Sequence, residues 1–158
     1  MKRIHRGMAL ALSAVLLLLT AAPSAWAAEN TITIETAQEL AELSKNCSLD
    51  SWSQGKTVLL AGDIDLTGTD FRPIPTFGGT FDGQGHTISG LLVTGNGNVQ
   101  GLFRYVQVGG VVQDLSVRGT VSPTDFRDTA GGIVGSNRGQ LLRCTFQGTV
   151  KGESSVGG

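Results

Sequence analysis

The chain has 158 residues and a mass of 16.4 kDa, room for one ordinary domain. Glycine fills 23 positions, about twice its usual share, while charged residues make up only 16%. Of the 12 Lys and Arg, three (Lys2, Arg3, Arg6) lie in an N-terminal leader; the nine that remain face 13 Asp and Glu, and an acidic balance with no Lys/Arg run argues against nucleic acid or an anionic membrane as partner.

Lys2, Arg3, His5 and Arg6 form a positive segment, Met8 to Leu19 an apolar one, and Ala25-Trp26-Ala27 a small-x-small cleavage pattern. The apolar run is about a dozen residues, short of the roughly 20 that a spanning helix needs, so residues 1–27 are expected to be a cleaved signal peptide. No second run of that length follows, and no membrane span is expected after cleavage.

Residues 28–54 contain no glycine. Within them Thr36-Ala37-Gln38-Glu39 reads as a capping box, in which the Thr hydroxyl and the Glu carboxylate each satisfy a free backbone N–H at a helix start. Leu40, Leu43 and Cys47 follow at spacings of three and four, which predicts an amphipathic helix over about Ala37 to Asn46. Such a helix would lid an N-terminal end.

From Gly55 to Gly158 the apolar period becomes strand-like, as in Thr57-Val58-Leu59-Leu60 and Ile64-Asp65-Leu66, punctuated by Gly and Asp-Gly turns. Ile88-x-x-Leu91-x-Val93 recurs as Val112-x-x-Leu115-x-Val117 and as Leu141-x-x-Cys144-x-Phe146. A second element interleaves with it: Val99-Gln100-Gly101-Leu102-Phe103, then Ala130-Gly131-Gly132-Ile133-Val134-Gly135, then Val156-Gly157-Gly158. Repeats of this kind cannot bury their apolar face alone and must stack. The expected fold is therefore all-β, a right-handed parallel β-helix with an N-terminal capping helix. Three internal ladders are expected: Ile88/Val112/Leu141, Leu91/Leu115/Cys144 and Val93/Val117/Phe146. Because Val156-Gly157-Gly158 reads as the opening of another copy, the repeats are expected to continue past the C-terminus.

Cys47 and Cys144 lie far apart and have no CxxC neighbour, so two buried thiols are expected rather than a bridge or a metal site.

Phe71-Arg72-Pro73-Ile74, the run Phe81-Asp82-Gly83-Gln84-Gly85-His86-Thr87-Ile88-Ser89-Gly90-Leu91, then Gly101-Leu102-Phe103 and Gly131-Gly132-Ile133-Val134-Gly135 together resemble the GLUG-motif proteins of bacterial surfaces and secretions. The likeness covers Gly55 to Gly158. It departs from the family pattern at Arg104, where Gly usually closes the motif. The resemblance implies a β-helical repeat module associated with adhesion, found in large adhesin-like proteins and beside IgA-protease-type metallopeptidases.

Chemistry is sparse. Asp63 and Asp65, at i and i+2, share one strand face, which is the solvent face if Ile64 and Leu66 point inward. Asp82 and His86 flank Gly83-Gln84-Gly85, which an Asp-Gly corner explains without catalysis. A carbohydrate-active β-helix enzyme would need Asp63, Asp65 and Asp82 to converge with a basic residue such as Arg72. The only histidine after the leader is His86, too few for a metallopeptidase site, which places any such activity outside this sequence. Trp52 and Tyr105 are candidate glycan-stacking rings. No catalytic, cofactor or metal residue is assigned, and no cofactor is expected. The function read from the sequence is a secreted or cell-surface, non-enzymatic adhesion-type module of a larger bacterial protein, with a surface protein or glycan as partner; a polysaccharide lyase or hydrolase, or an accessory region of an IgA-protease-type metallopeptidase, is the alternative.

Overall fold

The computed structural model describes residues 30–124 and 129–157. The leader and its cleavage site at Ala27, and the terminal Gly158, lie outside the described residues. Among the described residues, one helix and 15 strands make a parallel β-solenoid, as the repeat pattern predicts.

A short strand, β1 (Thr31–Ile34), precedes the helix α1 (Ala37–Asn46). The helix begins at the capping box: the Glu39 amide donates to Thr36 Oγ1 at 3.2 Å, and the Thr36 amide donates back to Glu39 Oε2 at 3.0 Å. Leu40, Leu43 and Cys47 are buried on its inner side. Ser44 Oγ donates to the carbonyl oxygens of Arg72 and Pro73 at 2.9 and 3.2 Å, which fastens the helix to the first coil as the expected lid. β1 is an element that the reading of residues 28–54 as a helical cap does not contain. It pairs in parallel with β2, Thr31 opposite Thr57, and so adds a strand to the solenoid wall.

The chain then winds through four sheets in a fixed order. Sheet A collects β1, β2 (Thr57–Leu60), β5 (Thr80–Asp82), β9 (Val111–Gln113) and β13 (Gln140–Leu142). Sheet B collects β3 (Ile64–Asp65), β6 (Thr87–Val93), β10 (Ser116–Val121) and β14 (Thr145–Val150). Sheet D holds β7 (Val99–Gln100), β11 (Thr129–Gly131) and β15 (Ser155–Gly157). Sheet C holds β4 (Ile74–Phe77), β8 (Phe103–Val106) and β12 (Val134–Asn137). Among the described residues each coil runs A, B, D, C, except that the first has no strand in D and the last has none in C.

Register corrects the ladders read from the sequence. Val112 does stack on Leu141, and Val117 on Phe146. Ile88, however, stacks on Ile64 and Val117, not on Val112; the partner of Val112 in the preceding coil is Phe81. Likewise Val93 stacks on Val121 rather than Val117, and Leu91 opposes Gly119 rather than Leu115. The same spacing of three and five arises from two different geometries. In Val112-x-x-Leu115-x-Val117 the chain crosses a corner at Asp114, whose φ is +50°. In Ile88-x-x-Leu91-x-Val93 it stays in one strand and passes a bulge at Gly90, where φ is +68° and the pairing shifts by a residue. Gly90 serves there because a left-handed backbone suits a residue without Cβ.

The ladders fill the interior with apolar side chains. Val58, Phe81 and Val112 form one wall, and Ile64, Ile88 and Val117 another, all 2% exposed or less. Phe77, Phe81 and Phe103 meet at the centre with ring centroids 5.2 to 6.1 Å apart. Cys47 is buried and Cys144 half-buried, and both are free thiols. In the last coil Leu141, Leu142 and Val156 are exposed. No helix among the described residues is long and apolar enough to cross a membrane.

Candidate functional site

Of the acidic residues singled out in the sequence, Asp63 precedes β3 while Asp65 and Asp82 end β3 and β5, and each is engaged by backbone or polar neighbours of its own. Asp63 and Asp65 are exposed while Ile64 and Leu66 are buried, as alternation requires. Asp65 Oδ1 accepts from the Thr67 amide at 2.9 Å, and hydrogen bonds from the Thr67 hydroxyl and amide hold its carboxyl below the usual range. Asp63 Oδ1 accepts from the Thr87 amide at 2.8 Å in the next coil and lies 3.4 Å from His86 Nδ1. Asp82 Oδ1 accepts from the Gln84 amide at 2.8 Å, and its Oδ2 accepts from Gln113 Nε2 at 3.0 Å. Arg72 lies in the segment that Ser44 fastens ahead of β4. These side chains serve corners and coil-to-coil contacts, and among the described residues no three His, Cys, Asp or Glu side chains are grouped to hold a metal.

One corner carries the strongest ion pair. Asp114 and Arg143 occupy equivalent turns in successive coils, both with φ near +50°. Arg143 Nε and Nη2 donate to the two Asp114 carboxylate oxygens at 2.5 and 2.7 Å, a bidentate fork across the coil step. The Arg143 guanidinium holds the Asp114 carboxyl below its ordinary range and is itself pushed up. Both are exposed enough for this to fix geometry more than stability.

The feature best suited to hold a ligand lies on the outer face of sheet C. Thr76, Tyr105 and Ser136 stack in register across β4, β8 and β12. They line a groove of about 540 Å³ whose walls include Ser48 and Asp50 from the loop after α1, together with Arg104, Val108 and Arg138. Its floor is fixed by Gln107, whose Nε2 donates to the Asp50 carbonyl at 2.8 Å and to Thr76 Oγ1 at 2.9 Å, while its Oε1 accepts from Gln54 Nε2 at 3.0 Å. Tyr105 is 41% exposed, and the Arg104 guanidinium lies 6.0 Å from its ring centroid. Trp52, the other ring singled out, lies apart from this wall: it is half-buried against the core with Lys56 Nζ 5.1 Å from its centroid.

Sequence reasoning marked Tyr105 as a candidate ring and Arg104 as a departure from a familiar motif, but it did not join them to Arg138, Thr76 or Gln107. Those residues come from three coils, and their convergence depends on register. The alternation of Thr31-Ile32-Thr33-Ile34 was the readable signal for β1, the strand that precedes the loop forming the groove's far wall.

No family model matches the chain, and no solved structure matches it. It is 31% identical over 145 residues to halomucin from Haloquadratum walsbyi (strain DSM 16790 / HBSQ001), an alignment covering 80% of this chain. The chain spans about 2% of the length of that curated relative.

Proposed function

We propose that the chain is a GLUG-type repeat module of a secreted or cell-surface protein, non-enzymatic, whose outer coil faces carry binding surface. The observation that carries this reading is the in-register stacking of residues across successive coils, in which Tyr105 and Ser136 face outward beside each other over a buried Thr76, so that a repeat becomes a continuous presenting face. The likeness to a protein called a halomucin supports the same placement. The basic and apolar leader directs the chain to export, and cleavage after Ala27 leaves a mature N-terminus at Ala28.

The reading is tested by expressing the protein with its leader, sequencing the mature N-terminus and treating intact cells with protease. An N-terminus at Ala28, with the protein in the medium or open to protease on cells, is the expected result. Retention of Met1 in a protease-protected cytoplasmic protein would overturn it. Release of new reducing ends from polysaccharides, abolished by Asp63→Asn or Asp82→Asn, would replace it with an enzymatic role.

A further inference from the structure

We infer that the groove on the outer face of sheet C binds an anionic saccharide, its ring stacked on Tyr105 and its carboxylate or sulfate held by Arg104 and Arg138. This names the ligand class of the presenting face and so rests on the reading of the chain as an extracellular binding module.

Three features of the groove select that class. The first is the exposed Tyr105 ring, which offers an apolar face with a hydroxyl at its edge, suited to the alternating C–H and O–H surface of a sugar. The second is charge. Arg104 and Arg138 both line the groove against the single acid Asp50, and neither forms an ion pair among the described residues. Arg104 spends its Nε–H on the Val99 carbonyl at 3.0 Å, which fixes the side chain and leaves the terminal guanidinium nitrogens as donors beside the ring. In a chain with an acidic balance, two guanidinium groups lining one groove with no carboxylate paired to either among the described residues point to an anion.

The third feature is preorganisation. Gln107 uses its amide nitrogen and its oxygen within the floor, tying the loop at Asp50 to Thr76 and Gln54. The groove is therefore built before any ligand arrives, and the ordering cost of binding is reduced. Ser48 and Ser136 leave hydroxyl groups along the walls, the short polar partners that a polyhydroxylated ligand needs. A nucleic-acid strand also stacks on rings and pairs with Arg, but it requires a basic track along several phosphates, which this chain lacks.

Calorimetric titration of the purified protein with an oligogalacturonate, its fully methyl-esterified form and an oligothymidylate tests the inference. Binding of the free acid is expected to be at least about tenfold tighter than binding of the ester or the oligothymidylate. Tyr105→Ala should weaken binding about tenfold, while Tyr105→Phe, which keeps the ring, should change it less than about threefold. Arg138→Ala should weaken binding of the free acid and erase most of its advantage over the ester. Circular dichroism on each variant confirms that the fold is kept. Absence of oligogalacturonate binding, equal binding of acid and ester, preference for the oligothymidylate, or indifference to both Tyr105→Ala and Arg138→Ala would each overturn it. Because the titration uses purified protein and the export test uses cells, either proposal can fail alone.

Discussion

Replacing Phe81 with Ala removes the side chain at the centre of the solenoid. Phe81 is fully buried on β5, between Val58 and Val112 in the neighbouring coils, and its ring meets Phe77 and Phe103 edge to face at 6.1 and 5.2 Å. Losing it forfeits about 1.5–3 kcal/mol of apolar transfer free energy. Two aromatic contacts of about 0.5–1.5 kcal/mol each are lost with it. With the residual cavity, the cost falls in the range of about 3–5 kcal/mol measured for such changes. That is a fifth or more of the total stability of about 5–15 kcal/mol typical of a domain. Urea unfolding followed by circular dichroism should show the midpoint falling by about 2 M for Phe81→Ala, at a slope of about 2 kcal/mol per M. Phe146, half-buried in the last coil, is the control, and Phe146→Ala should shift the midpoint less than half as far. Equal shifts for the two variants would refute the placement of the core on the Phe77, Phe81 and Phe103 cluster.

Other outcomes follow from the same contacts. A Cβ on Gly83 would lie 2.6 Å from the Asp114 carbonyl oxygen and 2.8 Å from Leu115 Cα, so Gly83→Ala should cost about 1–3 kcal/mol in urea unfolding. Gly95 has open space around it, and Gly95→Ala should stay within about 0.5 kcal/mol of the parent protein. Thr36→Ala removes the helix cap and should cost about 1 kcal/mol. Asp114, held low by Arg143, and Glu39, held low by the Glu35 amide and by Thr36, are ionised more readily in the fold than in the unfolded chain. Their contribution is therefore present above the ordinary carboxylate range near about pH 4 and lost as pH falls through the lowered folded values. Asp114→Asn should flatten the acid limb of a melting-temperature profile. Burial pushes the Cys47 thiol up to about 11, so that contribution is present below the unfolded value near about 8.5 and lost as pH rises toward 11. At pH 8 Cys144, half-buried at the last coil, should react with a thiol reagent well before Cys47.

Elements that announce themselves locally were legible in the sequence. The capping box and the spacing of Leu40, Leu43 and Cys47 define α1 because a helix is decided within a few turns. The recurrence of Val99-Gln100, Ala130-Gly131 and Val156-Gly157 finds the strands of sheet D and aligns Ala130 with Val156, but Val99 and Gln100 pair with Thr129 and Ala130, one residue earlier than the recurrence aligns them. Register was not legible, because Ile88-x-x-Leu91-x-Val93 and Val112-x-x-Leu115-x-Val117 share a spacing but not a geometry. One holds a bulge at Gly90, while the other crosses a corner at Asp114. The candidate groove inherits that difficulty. Arg104 and Tyr105 are neighbours in sequence, but Arg138, Thr76 and Asp50 reach them only through coil stacking.

Coil register is thus the claim on which both the core and the presenting face depend, and disulfide trapping tests it most directly. Thr87 on β6 is the register partner of Ser116 on β10, while alignment of the apolar spacing would set it against Val111. Parallel partners lie about 4.8 Å apart, within reach of a disulfide. In a Cys144→Ser background, Thr87→Cys with Ser116→Cys should form an intramolecular bond on mild oxidation, and Thr87→Cys with Val111→Cys should stay reduced. Efficient bonding of the second pair but not the first would contradict the stacking described here.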